Sequence, residues 1–289
     1  MRHYPAKLLL FGEHILLTGA PALAVPVPAF CGWWSWSEEA VGKQKRLLEF
    51  ARSAALASVQ TLDVQAFQHD LGRGLLLESN IPTGYGLGSS GALCAAIYDR
   101  YCREKTEGLA ALKADLARME GFFHGNSSGI DPLTSYVAQP VLIERQTEVC
   151  LAAPQSWAEP PVVFLLDSAL PRQTEPLVQW FLGKTRDAAF FEKLQAELLP
   201  AHHAMLHGWL GAVPEMFWPA LRRVSAWQME HLPPMIPPTV REVWMQSLEQ
   251  ESFSLKICGA GGGGYVLGFA QKKEDVAALE RAFRVVFPF

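Results

Sequence analysis

At 289 residues, 49% of them hydrophobic and 19% charged, the chain can bury a substantial core and has room for two modest domains or one large one. Its net charge of −4, with lysines and arginines scattered, argues against nucleic acid as a partner. Five cysteines (Cys31, Cys94, Cys102, Cys150 and Cys258), widely spaced and without a CxxC pair, argue against a disulfide framework or a zinc ribbon and fit a cytoplasmic location.

In chain order, Lys7 to Phe11 is an apolar run closed by Gly12, and Glu13 and His14 interrupt the apolar N-terminus before a signal-peptide core or a membrane span can form. With Ile15 to Leu17 the pattern reads as strand, turn, strand, followed by an extended piece over Pro21 to Val27. Leu47, Leu48, Ala51, Ala54 and Ala55 predict an amphipathic helix running toward Val59. Its basic start at Lys43, Lys45 and Arg46 reads as a solvated helix end. Gly74 to Ser79 is a predicted strand.

The stretch Ile81 to Ala92, IPTGYGLGSSGA, is the most informative in the chain. Gly84, Gly86 and Gly88 permit positive φ and close approach to the main chain, and Ser89 and Ser90 place hydroxyls where the next helix exposes unpaired N–H groups. Such a loop suits an anion, phosphate above all, and taken alone it equally suits a glycine-rich turn without a ligand. Helices are predicted over Ser90 to Tyr101 and from Leu109, with Glu120 at the second helix's C-terminal end, where the dipole disfavours a carboxylate. Asp131 follows in a polar loop, His124 to Tyr136, where an acid is ordinarily an Asx-turn residue.

Val141 to Ile143 is a predicted strand, and the proline-bearing segment 152–161 is the candidate boundary between domains 1–155 and 156–289. Val162 to Leu166 opens the second half as a strand, with a turn over Asp167 to Gln173 and Thr174 as a helix cap. His202, His203 and His207 include an i,i+4 pair but lack a companion carboxylate or cysteine, so they read as a wet helix face in preference to a metal site. Thr239 with Glu242 forms a potential capping box, Ser254 to Cys258 and Tyr265 to Phe269 read as strands around the glycine run 259–264, and Lys272 to Val286 reads as a helix.

Both glycine runs match G-x-G-x-x-G literally, but neither has the strand–helix setting of a dinucleotide fold, and GxxxxGK[ST], HRD and DFG signatures are absent. Taken together, PAKLLLFGEH, GYGLGSSGA, EGFFHGNSSGID and KICGAGGGG resemble the galactokinase, homoserine kinase, mevalonate kinase and phosphomevalonate kinase superfamily, the GHMP kinases, and most of all its mevalonate kinase branch. Pro5, Lys7, Gly12, Glu13, His14 and Gly19 fall in register with the first family block. Glu120, Gly125, Asn126, Ser128, Gly129 and Asp131 fit the E-x4-GNPSGVD block, and LPRQT around Arg172 is also similar. The chain departs from the pattern at Gly91, an alanine in the family, at Ser127, a proline there, and at Pro132-Leu133-Thr134.

The resemblance implies an α+β fold of two domains, a ribosomal-protein-S5-like N-terminal domain and a ferredoxin-like C-terminal domain with the site in the cleft between them. It implies an ATP- and Mg²⁺-dependent small-molecule kinase of isoprenoid precursor synthesis, monomeric or homodimeric, with no membrane or nucleic-acid partner. Gly84, Gly86, Leu87, Gly88, Ser89, Ser90 and Gly91 would wrap the nucleotide phosphates, and Ser90 with Glu120 would hold Mg²⁺. Asp131 would accept the proton of the attacking hydroxyl, with Lys7 keeping it ionised. Glu13, His14, Gly261 and Gly262 would face the acceptor. Mevalonate, another acceptor of the same superfamily, and a catalytically silent nucleotide-binding protein all remain compatible with the sequence.

Overall fold

The computed structural model describes residues 2–145, 148–172 and 174–289, apart from the side chain of Thr174. Strands β1 (Tyr4–Phe11) and β2 (Ala22–Trp36) form a long antiparallel pair; β2 also carries β3 (Leu75–Ser79) along its second half and β4 (Val141–Glu144) at its start, and β5 (Glu148–Leu151) flanks β4. Leu23 therefore stands between Phe11 on one side and Leu142 on the other. Because β1 is buried along almost its whole length, it reads as a continuous apolar run without alternation.

Three short helices, α1 (Lys45–Ala51), α2 (Ala54–Ala57) and α3 (Val64–Gly72), separate β2 from β3. After β3 come α4 (Ser89–Tyr101), α5 (Leu109–His124) and α6 (Ile130–Val137); α4 and α6 lie on β1 and β2, and α5 packs on both helices. The second sheet is antiparallel, in the order β7 (Phe253–Lys256), β8 (Tyr265–Ala270), β6 (Val162–Asp167), β9 (Val285–Val286). Between β6 and β7 run α7 (Thr174–Lys184), α8 (Ala188–Lys193), α9 (Leu199–Leu210), α10 (Pro214–His231) and α11 (Arg241–Glu249). Phe11 of β1 stacks on Phe269 of β8 at 5.8 Å and meets Trp209 and Phe217 edge-on, so the first strand is packed into the core of the second sheet. No helix among the described residues is long and apolar enough to cross a membrane.

Several sequence expectations are corrected. Ile15–Thr18 is a 3₁₀ turn and not a strand: Leu16 N–H bonds back to the Gly12 carbonyl, and the Thr18 hydroxyl to that of Ile15. The single helix expected from Leu47 toward Val59 breaks at Arg52, because the Ser53 side chain caps a new turn by accepting from Leu56 N–H. Thr239 does not form a capping box with Glu242; its hydroxyl donates to the Ser168 carbonyl at 2.9 Å. The helix expected over 272–286 is replaced by two 3₁₀ turns and β9, whose pairing with β6 overrides the local apolar period. The turn from Asp167 is described only as far as Arg172, and the expected Thr174 cap lies outside the described residues.

His202 is buried, not wet; its Nε2 lies 2.7 Å from the Pro21 carbonyl, tying α9 to the segment that opens β2. Burial pushes its pKa down to about 4. The folded protein thus binds this proton more weakly than the unfolded chain, so stability is full above about pH 6.5 and falls as pH drops from there toward 4. Thermal melts at pH 7 and pH 4.5 should show a larger acid-induced loss for the wild type than for His202→Gln, by up to about 3 kcal/mol. Equal losses would show that His202 carries none of the acid sensitivity.

Candidate active site

A cavity of about 590 Å³ lies where the glycine loop, the turn after β1 and the segment after β7 meet, and Lys7, Glu13, His14, Ser90, Asp131 and Arg172 all reach its wall. Lys7 projects from β1, and its backbone N–H donates to the Leu87 carbonyl at 2.9 Å, fixing the glycine loop against the strand. Its ammonium lies 2.5 Å from Asp131 Oδ1. Asp131 sits in the first turn of α6, not in a loop as expected, so the positive end of the helix dipole also favours its charge. Gly88 has φ 72° and an added Cβ would come within 3.1 Å of Asp131 Oδ2, so only glycine brings the loop this close to the acid.

The start of α4 borders the cavity, where helix geometry leaves the first N–H groups without intrahelical partners. Ser90 Oγ donates to Glu120 Oε1 at 3.0 Å and lies 2.9 Å from His124 Nε2. Ser127 Oγ donates to Glu120 Oε2 at 2.5 Å. Glu120 is not at the end of its helix: α5 continues to His124, and the carboxylate is buried and held by two hydroxyls, not set against an exposed dipole. Burial, and then the charge of Asp131, push Glu120 up to about pKa 7, while Ser127, Ser90 and Lys7 pull it back. Ser90 and Glu120 form an all-oxygen donor pair, which fits Mg²⁺, an ion that completes its shell with phosphate oxygens and water. Among the described residues, no group of three or more His, Cys, Asp or Glu is placed to hold a metal ion.

Glu13 faces the cavity but is committed to Lys256, at 2.5 Å in full burial. The Lys256 ammonium also donates to the carbonyls of Leu10 and Ile257 at 3.1 and 3.0 Å, so all three of its protons are used. Burial pushes the Glu13 carboxyl up, and Lys256 pulls it down. His14, with φ 63°, sets its Nε2 at 3.2 Å from the Ala260 carbonyl, and burial lowers its pKa to about 4, so it is neutral at pH 7.

Of the other sequence candidates, Gly84, Gly86, Leu87 and Ser89 line the cavity, whereas Gly91 lies inside α4 against the backbone of Asp131. Gly261 and Gly262 do not line it: Gly261 packs on Met235, and Gly262 on Leu177, with its N–H bonded to the Met235 carbonyl at 2.6 Å. The wall is made instead by Cys258, Gly259 and Ala260. The sequence assigned no role to Lys256, His124 or Ser127, and none to Arg172 beyond its family segment. The Arg172 guanidinium lies against Gly86 and Gly259, filling the space that a Cβ at either would need, and its buried Nε has no hydrogen-bond partner among the described residues. The only sequence signal for it was the LPRQT similarity, since nothing local relates a turn after β6 to both glycine runs.

Comparison with known proteins fits this geometry. Residues 50–139 match the family model described as GHMP kinases N terminal domain. Mevalonate kinase of Pyrococcus furiosus is 29% identical over 174 residues, covering 49% of this chain and 50% of the relative, so this chain matches about half the length of that curated protein. Among solved structures, L. major mevalonate kinase in complex with R-mevalonate superposes with a TM-score of 0.68 at 14% identity, over 96% of this chain and 89% of that one. Streptococcus pneumoniae phosphomevalonate kinase in complex with phosphomevalonate and AMPPNP gives 0.64 at 15% identity, over 97% and 94%. The superfamily resemblance drawn from the motifs is borne out, and the chain has the two-domain α+β GHMP kinase fold.

Lys256→Met should destabilise the protein by about 3–5 kcal/mol in urea denaturation, because it leaves Glu13 buried without a partner, and Glu13→Gln in the same chain should recover part of the loss. A loss below about 1 kcal/mol, within the range of an ordinary hydrogen bond, would show that the pair does not hold the cleft together.

Proposed function

We propose that the protein transfers the γ-phosphoryl group of ATP to the 5-hydroxyl of mevalonate. The observation that carries the reading is the Lys7–Asp131 contact of 2.5 Å, set on the cavity wall beside a glycine loop that opens a helix. Phosphoryl transfer needs little covalent work from a protein beyond positioning and charge neutralisation, and the cleft supplies both. The glycine loop and the first turn of α4 hold the nucleotide phosphates through backbone N–H groups.

Asp131 takes the proton as the acceptor oxygen forms its bond to the γ-phosphorus and the bond to the ADP oxygen breaks. Lys7 offsets charge on the transferred group and keeps Asp131 oriented toward the hydroxyl. Ser90 and Glu120 hold Mg²⁺, which supplies charge neutralisation on the nucleotide phosphates. Arg172, with its cationic head between the two glycine runs, reads the carboxylate of the acceptor, for which its planar fork is suited. Neutral His14 and the Glu13–Lys256 pair close the acceptor end.

The same reading divides the protein into domains 1–155 and 156–289, with the break between the end of β5 and the start of β6, and places it in the cytoplasm. A second acceptor of the superfamily is kept as the alternative, because the phosphomevalonate kinase superposes nearly as well as the mevalonate kinase, with TM-scores of 0.64 and 0.68.

A coupled ADP-release assay across mevalonate, phosphomevalonate, galactose and homoserine should show turnover with mevalonate. Turnover with another acceptor and none with mevalonate selects the alternative, and no turnover with any acceptor removes the kinase reading. Asp131→Asn should lower kcat by roughly 10²–10⁴-fold, the usual worth of a general base, with ATP affinity largely kept. A variant with near wild-type turnover would remove Asp131 from that role.

A further inference from the structure

Ser127 stands where the GHMP pattern has proline, in the five-residue link between the helix that carries Glu120 and the helix that carries Asp131. Its hydroxyl both accepts and donates. It accepts from the Gly129 N–H at 3.0 Å and donates to Glu120 Oε2 at 2.5 Å. A proline offers neither interaction, having no hydroxyl. The other carboxylate oxygen, Oε1, accepts from Ser90 at 3.0 Å, so Glu120 is held at both oxygens by hydroxyl donors.

With Glu120 ionised, the one hydroxyl proton of Ser90 goes to Glu120, and the 2.9 Å contact with His124 is then a donation from His124 Nε2–H to Ser90 Oγ. That leaves Ser90 one free lone pair. Glu120 keeps further lone pairs on both oxygens, and its side chain cannot rotate without breaking one of two hydrogen bonds. The carboxylate therefore presents a fixed edge toward Ser90.

We propose that Ser127 is a positioning residue that orients Glu120 for a divalent cation and links that orientation to the start of α6, which bears Asp131. This inference rests on the reading of Glu120 and Ser90 as the metal-holding pair. Residues that orient a metal ligand through hydrogen bonds commonly change metal affinity by 10–100-fold when removed. Through Gly129 N–H, Ser127 Oγ and Glu120 Oε2, one chain of hydrogen bonds runs from the helix of the base to the proposed ligand.

The test uses the full chain saturated with AMPPNP and titrated with Mn²⁺ in a calorimeter, which reads binding without turnover. Ser127→Ala should weaken Mn²⁺ about 10-fold at unchanged melting temperature, and Ser127→Thr, which keeps the hydroxyl, should restore the affinity. In a Glu120→Gln background, Ser127→Ala should have a much smaller effect than in the wild type, since the carboxylate it orients is gone. If Glu120→Gln weakens Mn²⁺ while Ser127→Ala does not, the role of Ser127 is overturned and the metal-ligand reading stands. If Glu120→Gln itself leaves Mn²⁺ affinity unchanged, the ligand reading fails and this inference with it. Equal losses for Ser127→Ala and Ser127→Thr, or a loss that tracks a lowered melting temperature, would show that the serine acts only through the fold of the link.

Discussion

The buried ion pair between Glu13 and Lys256 is the constraint on which the rest of the cleft depends. Removing two charges from water is costly, and the cost is met here only because every donor of the ammonium has an acceptor: Glu13, the Leu10 carbonyl and the Ile257 carbonyl. All three acceptors flank the cleft. Leu10 lies near the end of the strand that carries Lys7, Glu13 opens the turn that carries His14, and Ile257 precedes Cys258, Gly259 and Ala260 on the opposite wall. One side chain from β7 thereby fixes the first sheet against the second at the floor of the cavity, and the Phe11 aromatic cluster supplies the apolar packing behind it.

Above that floor, charges are sorted by what can neutralise them. Asp131 has Lys7 and the start of a helix, whereas Glu120 has no cation within bonding distance among the described residues and relies on hydroxyls, which is why burial and its acidic neighbour raise its pKa. A carboxylate so placed is stabilised most by a cation that arrives from outside. Arg172 is the opposite case, a cation that lies against Gly86 and Gly259 with no salt-bridge partner among the described residues. Under the proposed reading, the acid would meet a metal–phosphate and the guanidinium an anionic acceptor.

Much of this was legible in the chain itself. Strand β1, the helix after the serines, the strands on each side of the second glycine run, and the spacing of Glu120 and Asp131 all follow from local periodicity or from motif blocks. The misreadings have a common form. Ile15–Thr18, the segment 272–286 and Thr239 were assigned from local pattern; a long-range strand pairing or hydrogen bond settled the last two, and backbone and hydroxyl bonds within the turn settled the first. Glu120 was singled out for its place at a helix end, but the helix does not stop at Gly121, and what sets its environment is burial and not a helix dipole.

By itself the sequence determined the chemistry of the loops: which residues permit positive φ, where hydroxyls meet a helix start, and which acids and bases stand in the superfamily's order. Those are properties of single residues and their near neighbours. Only the tertiary structure decided that Lys256 belongs to Glu13 across 243 residues, that Arg172 touches both glycine runs, that Gly259 and Ala260 line the cleft in place of Gly261 and Gly262, and that Ser127 reaches Glu120. Each depends on how two sheets and their helices close on one another, and that closure is fixed by the summed burial of residues far apart in the chain, which no local pattern records.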